Sequence, residues 1–519
     1  MYVWKQGTRV KKFKMLPVFA FTLLLALVRG TLCNPADGLV DLGYAKHVPT
    51  YVNTTASGQR VAVYKNIRFA KAPTGELRFR APDTKLPHVD GIQDGKAPWP
   101  GPSCISSAPS SVPFPGLNGT TWGSEDCLFL DVYVPEGVRP GDDVPVLHNF
   151  HGSAYAFGNK EIFFYPLGLF DLAHKQNGTK FIAVANNYRM GVSGFTWADG
   201  EDLDGNVGML DCLAAAEWTS QYIHKFGGDK KRVTALGQSS GAGILYYLSV
   251  LDGGQGRPLP FQQIFISSPD AVQRRNVTAR QRQLFDLVLD AANCTSLACL
   301  RSAPEAAMLQ VNDALINHMP STGGGGTLGP VLGFGPAPDG HRIPDIPVAL
   351  LQQGRTHHKS LSRLVLGNMA DEGETTSSDE GMPGAFAEVA RRQLTTADDD
   401  AIQALLDLYY TPGFERELAW DWTTDSVFAC NNYALAAALP QKALRYVMTT
   451  PPAVHGQDFL HYFYVDQETT PVDDPALALE FQAKLLAFSA RGGRGLAGVW
   501  RRPAPLQHHG LVRGDDLAG

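Results

Sequence analysis

Val233-Thr234-Ala235-Leu236-Gly237-Gln238-Ser239-Ser240-Gly241-Ala242-Gly243 is the stretch on which the reading of this chain turns. A short run rich in β-formers enters a Gly-x-Ser-x-Gly turn, and Ile244-Leu245-Tyr246-Tyr247-Leu248 leaves it. The pattern predicts a strand, a sharp turn and a helix, with the Ser239 hydroxyl held above the sheet at a helix N-terminus. Glycines on both sides leave room for a cramped backbone. A bare Gly-x-Ser-x-Gly in 519 residues is unremarkable by chance, so its surroundings carry the argument.

Upstream, Asp211 to Trp218 and Tyr222-Ile223 read as a helix, closed by Phe226-Gly227-Gly228-Asp229 just before the strand. Further strands are expected at Val61–Tyr64, Ser124–Pro135, Val144–Phe150, Phe181–Ala185, Ile264–Ile266 and Leu364–Gly367, and an aromatic one at Phe459–Val465. Phe181–Ala185 is almost continuously apolar, as a strand covered on both faces should be. Helical patterns run over 279–292, 385–410, 430–447 and 475–490, and the Gly/Pro-rich stretch 321–340 must be loop. Strands alternating with helices predict an α/β fold with a doubly wound, mostly parallel sheet and helical insertions.

Composition narrows the class. The chain is 44% apolar and 18% charged with a net charge of −6, which is globular and gives no electrostatic case for nucleic acid. Residues 1–33 read as a secretory signal: a basic head, about fourteen apolar residues from Met15 to Val28, and a cleavage point after Gly30 or Cys33. A retained signal anchor is the rival; no later stretch is long enough to span a bilayer. Sequons at Asn53, Asn118, Asn177, Asn276 and Asn293 agree with a secretory route as glycosylation sites. Of seven cysteines, Cys104 and Cys127 bracket a Pro/Ser/Gly-rich loop, and Cys294 and Cys299 bracket a four-residue one. Cys33 falls at the signal, Cys212 on a helical pattern reads as a buried thiol, and Cys430 has no evident partner.

Several ordered segments together resemble the type-B carboxylesterase and lipase family of the α/β-hydrolase fold. The resemblance runs from about Tyr51 to about Ser489. Ser124-Glu125-Asp126-Cys127-Leu128 and the following strand match it, as do Phe226-Gly227-Gly228 leading to Gly241, Asn187-Tyr188-Arg189, Gly205-Asn206 and Asp371-Glu372-Gly373. The Gln-Ser-Ser-Gly-Ala-Gly elbow and Asn66-Ile67-Arg68-Phe69-Ala70 look most like fungal members. The resemblance implies one catalytic domain over 34–503 with a polar tail at 504–519, secretion, disulfides Cys104–Cys127 and Cys294–Cys299, and ester hydrolysis through an acyl-enzyme. No metal or organic cofactor is called for, and no His/Cys/Asp cluster has ligand spacing.

Such hydrolysis needs a nucleophile, a base, an acid that orients the base, and donors for the oxyanion. Ser239 is the nucleophile. Among 14 histidines, His455 on a Gly-rich loop matches the family's base, whereas His461 would point into a sheet and His151 belongs to the oxyanion loop. Glu372 is the acid and Asp371 its rival. Only 83 residues separate Glu372 from His455, which suggests trimmed helices between them. The oxyanion donors are the N–H groups of Ser240, Ser153 and Ala154. The family's His-Gly-Gly-Gly reads His151-Gly152-Ser153-Ala154 here, and the two replaced glycines are expected to demand more ordinary backbone angles.

The substrate is then a small-molecule carboxylic ester. Neutral Gln238 before the serine argues against the cationic substrates of cholinesterases, and Trp122 lies too near the end of its loop to be carried over. The 22 residues between Cys104 and Cys127 favour soluble esters over a lid-type lipase. An acyl transferase and a catalytically silent adhesion protein are the other readings, the latter disfavoured because all three triad positions are filled.

Overall fold

The computed structural model describes residues 38–98, 101–109, 117–176, 178, 180–272, 277–318, 333–377, 386–394, 397–409 and 415–491. The signal-like segment, Asn177, Asn276 and the tail beyond residue 491 lie outside them.

Nine strands form the central sheet: β1 (Tyr51–Thr54), β2 (Arg60–Arg68), β3 (Phe129–Pro135), β4 (Val144–Phe150), β5 (Ile182–Asn186), β6 (Gly228–Gln238), β7 (Gln263–Ser267), β8 (Arg363–Met369) and β9 (Ala443–Met448). Their spatial order is β9-β8-β7-β6-β4-β5-β3-β2-β1. From β5 to β9 every pairing is parallel, while β1, β2 and β3 run antiparallel to their neighbours. This is an α/β-hydrolase sheet, mixed and mostly parallel.

Alternation along the strands explains the two cores. Ile264 and Ile266 point to one face and join the apolar cluster that holds Ile244, Leu245 and Leu248 of the Ser240–Leu248 helix and Met209 and Ala216 of the Val207–Tyr222 helix. Phe265 between them points to the other, against Tyr462, Leu485 and Phe488. Both faces are dry, so β7 has no polar side to show. The expected disulfides are present, Cys104–Cys127 and Cys294–Cys299, and Cys212 is a buried free thiol. No helix among the described residues is long and apolar enough to cross a membrane.

Three elements differ from the sequence reading. The helix expected over 430–447 stops at Ala438, and the chain re-enters the sheet as edge strand β9. Pro440 cannot continue a helix, and it biases Leu439 out of the α region. The aromatic strand expected at Phe459–Val465 is instead a short helix, Gln457–Tyr462. Phe459, Tyr462 and Phe463 recur at helical spacing and share one buried face, so the period outweighs their β-propensity. His461 therefore lies on that helix, its Nδ1–H donating to the Gln457 carbonyl one turn back, rather than inside a sheet. The long helix expected over 385–410 is two, Phe386–Gln393 and Asp399–Tyr409.

Candidate active site

Strand β6 delivers Ser239 into a backbone conformation of φ 57°, ψ −129°, a region non-glycine residues rarely occupy and one that costs about 1–3 kcal/mol. The surroundings over-determine it. The Ser239 N–H donates to Ser267 O at the end of β7, and its carbonyl accepts from Gly243 N and Asp270 N. A Cβ on Gly241 would lie 2.0 Å from the Phe150 carbonyl at the end of β4, so the elbow packs this tightly only with glycine there.

Three side chains from distant parts of the chain meet at this edge. Ser239 Oγ lies 2.9 Å from His455 Nε2, and His455 Nδ1 lies 2.6 Å from Glu372 Oε2. Glu372, fully buried after β8, also accepts from the Met369 N–H at 2.7 Å and the Ser268 hydroxyl at 2.6 Å. With its carboxylate accepting, Nδ1 carries the proton and Nε2 presents a lone pair to the serine. Asp371, the rival acid, is exposed and tied to Ala453 through its own N–H. A π-helical turn, Thr424–Ala429, sets Phe428 against the His455 ring at 4.7 Å between centroids, and its Thr424 hydroxyl accepts from the Gly373 N–H.

Burial pushes the His455 pKa down, but the Glu372 hydrogen bond and charge outweigh it, with Asp270 and Asp458 adding to them, and the net shift is upward from 6.5. His151 shows the opposite balance. Burial pushes it down to about 4, its Nδ1 is 2.9 Å from the Gly152 carbonyl, and its ring stacks on Tyr188, so it is neutral and structural in character.

The loop after β4 departs from expectation. Ser153, Ala154 and Tyr155 keep left-handed angles, φ 96°, 54° and 57°, instead of relaxing to ordinary ones. The path glycines would take is retained and the side chains carry the strain. Ser240 opens the Ser240–Leu248 helix, where the first N–H groups have no partner within the helix.

Some neighbours were not anticipated. Ser268 supports Glu372, and the charges of Asp458 and His455 act on one another. The Asp458 carboxyl is fully buried and takes hydrogen bonds from the hydroxyls of Ser267, Tyr446 and Tyr462. Gln238, expected only to be neutral, brings its Nε2 to 3.2 Å from His455 Nε2. Trp122 packs edge-on against Phe157. The sequons within the described residues place Asn118 and Asn293 at exposed positions and Asn53 half-buried on β1. Among the described residues no group of three His, Cys, Asp or Glu side chains could hold a metal ion.

A serine hydroxyl on an elbow, an imidazole and a buried carboxylate on this sheet define the class as an α/β-hydrolase. Residues 49–447 match the model of the carboxylesterase family, and the chain belongs to that family: it is a carboxylic ester hydrolase. It is 30% identical to carboxylesterase patB of Aspergillus clavatus over 92% of each chain. It is 26% identical to a secreted lipase of Arthroderma benhamiae over 70% of this chain and 71% of that one. The crystal structure of Aspergillus niger EstA superposes with a TM-score of 0.73 at 21% identity over 90% of both chains, which supports the fold.

Proposed function

We propose that the chain is a secreted serine carboxylesterase in which Ser239, His455 and Glu372 form the triad and the N–H groups of Ser153, Ala154 and Ser240 form the oxyanion hole, within one catalytic unit over residues 34–503. The observation that carries this is the unbroken relay from Ser239 Oγ through His455 to Glu372 Oε2. His455 takes the serine proton as Oγ attacks the ester carbonyl, and Glu372 holds the imidazolium that forms. The tetrahedral oxygen collects the three N–H groups, each worth about 3 kcal/mol in transition-state terms. The carbonyl re-forms as the C–O bond to the alcohol breaks, and His455 hands its proton to the departing oxygen. Water then attacks the acyl-enzyme with His455 as base, releasing the acid and restoring the hydroxyl.

The signal-like head, the sequons and two disulfides support a secretory route. Relatives named as lipase and as carboxylesterase leave chain length to experiment, and the short Cys104–Cys127 loop favours soluble esters. The test is a p-nitrophenyl ester chain-length series on wild type and Ser239→Ala. The variant should lose several orders of magnitude in kcat, and an organophosphate should label the wild type once per chain and the variant not at all. Near-wild-type turnover by Ser239→Ala would overturn the assignment.

A further inference from the structure

The strained loop after β4 is pinned at one residue. Tyr155 is almost fully buried, its ring lies edge-on to Phe195 with centroids 5.3 Å apart, and its carbonyl accepts from Gly191 N at 2.6 Å. Its hydroxyl donates to the Asp270 carbonyl at 2.5 Å, and the Asp270 N–H in turn donates to the carbonyl of Ser239 at 3.2 Å. That hydroxyl sits so close to the first turn of the Ser240–Leu248 helix that a Cβ on Gly243 would be 2.0 Å from it. Gly243, two residues beyond the Gly-x-Ser-x-Gly turn, is thereby explained as clearance for the phenol and for the Asp270 carbonyl, which that Cβ would approach to 2.1 Å. Burial pushes the Tyr155 pKa well above its usual value, so the hydroxyl remains a donor.

We propose that Tyr155 is a positioning residue for ester hydrolysis: its hydroxyl fastens the glycine-poor loop to the nucleophile's own turn and so holds the Ser153 and Ala154 N–H groups where the oxyanion forms. The proposal rests on the oxyanion role given to that loop above. Residues at φ 96°, 54° and 57° without glycine tend to spring toward ordinary angles, and an anchor at the end of the run opposes this. A loop of glycines would have no such need.

The experiment compares Tyr155→Phe in two backgrounds, wild type and Ser153→Gly/Ala154→Gly, with kcat expressed per site titrated by an organophosphate. In the wild-type background, loss of the hydroxyl should lower kcat on the order of tenfold to a hundredfold with KM within about twofold, as a misplaced donor does. In the glycine background the same change should cost less than about threefold, because glycine relieves the strain at the two positions whose N–H groups are to be held. A purely structural tyrosine would lower the melting temperature and leave kcat per titrated site unchanged well below it; that result overturns the proposal. An equal loss in both backgrounds overturns it too. Should Tyr155→Phe alone fail to accumulate, the triple variant still decides, since a kcat per site far below that of the glycine double variant contradicts the coupling. If the wild type is not silenced by one equivalent of organophosphate, the Ser239 reading has failed instead.

Discussion

Gly152 lies directly against Ser239: a Cβ built on it would stand 3.1 Å from the Ser239 Cβ and 2.8 Å from the Gln238 carbonyl oxygen. Of the three glycines in the family's loop pattern this is the one the chain keeps, and it is the one whose side-chain position is already occupied. Positions 153 and 154 accept side chains at the expense of strained angles. Gly152→Ala should push the loop away from Ser239 and lower kcat by about 10²-fold or more, the scale of a lost oxyanion donor. The rate of organophosphate labelling should fall in parallel while the unfolding midpoint moves little. An alanine variant labelled as fast as wild type would show that the contact does not govern the site.

Glu372 has three donors on one carboxylate, and the one that matters for pH is His455. Burial alone would hold the imidazole pKa below 6.5, and the Glu372 hydrogen bond and charge lift it above. As the proposed base, His455 works only when neutral, so wild-type kcat/KM should fall as pH drops through a value above 6.5. Glu372→Gln removes the lifting contribution and leaves burial, so the acid limb should move to lower pH. Its plateau should sit about 10³–10⁴-fold lower, because an amide can present a donor to the ring and select the wrong tautomer. A pH–rate profile of both proteins checks this; an acid limb that stays in place would separate the carboxylate from the imidazole.

Much of this site could be read along the chain, because the Ser239 elbow, Glu372 and His455 each sit beside a local signal: glycines, a strand end, a Gly-rich loop. What escaped has no local signal. Tyr155 reads as one more aromatic until its hydroxyl is seen to reach Asp270. Ser268 is one of many serines, and only the pairing of β7 beside β8 brings it to Glu372. Asp458 was hidden by a mistaken period: just ahead of an expected strand it has no reason to be buried, whereas in the first turn of the Gln457–Tyr462 helix it is buried against the hydroxyls of Ser267, Tyr446 and Tyr462. In the fold, β9 was lost for a similar reason. Its alternation is weak beside the alanine-rich helix that precedes it, and Pro440 was the cue that separates them.

The Cys104–Cys127 disulfide is fully buried and closes the loop that carries the Ser106–Ala108 and Thr120–Trp122 hairpin against the oxyanion loop. Chain entropy assigns a loop of this length about 3 kcal/mol, and the five-residue separation of Cys294–Cys299 about 2. Replacing the first pair by alanine should therefore lower the urea midpoint more than replacing the second. A larger effect from the Cys294/Cys299 double variant would mean that native-state packing, not loop closure, sets the order.

Asp458 makes stability depend on pH in a direction opposite to an ordinary salt-bridged carboxylate. Burial pushes its pKa from 3.8 up to about 7, with the Ser267 hydrogen bond resisting and the Glu372 charge adding to the rise. Between those values the folded chain holds a proton that the unfolded chain has released. Because the slope of unfolding free energy with pH follows protons bound unfolded minus folded, it is negative here. The contribution is complete below pH 4 and is lost as pH rises through 7, to the extent of a few kcal/mol at most. His455, with a raised folded pKa, adds a slope of the same sign above 6.5. Asp458→Asn keeps the shape and the hydrogen-bonding oxygen but cannot titrate, so its urea midpoint should decline much less than that of wild type between pH 5 and pH 8. Parallel declines in the two proteins would mean that the buried carboxyl is already ionised at pH 5 and that the Tyr446, Tyr462 and Ser267 hydroxyls stabilise a charge there.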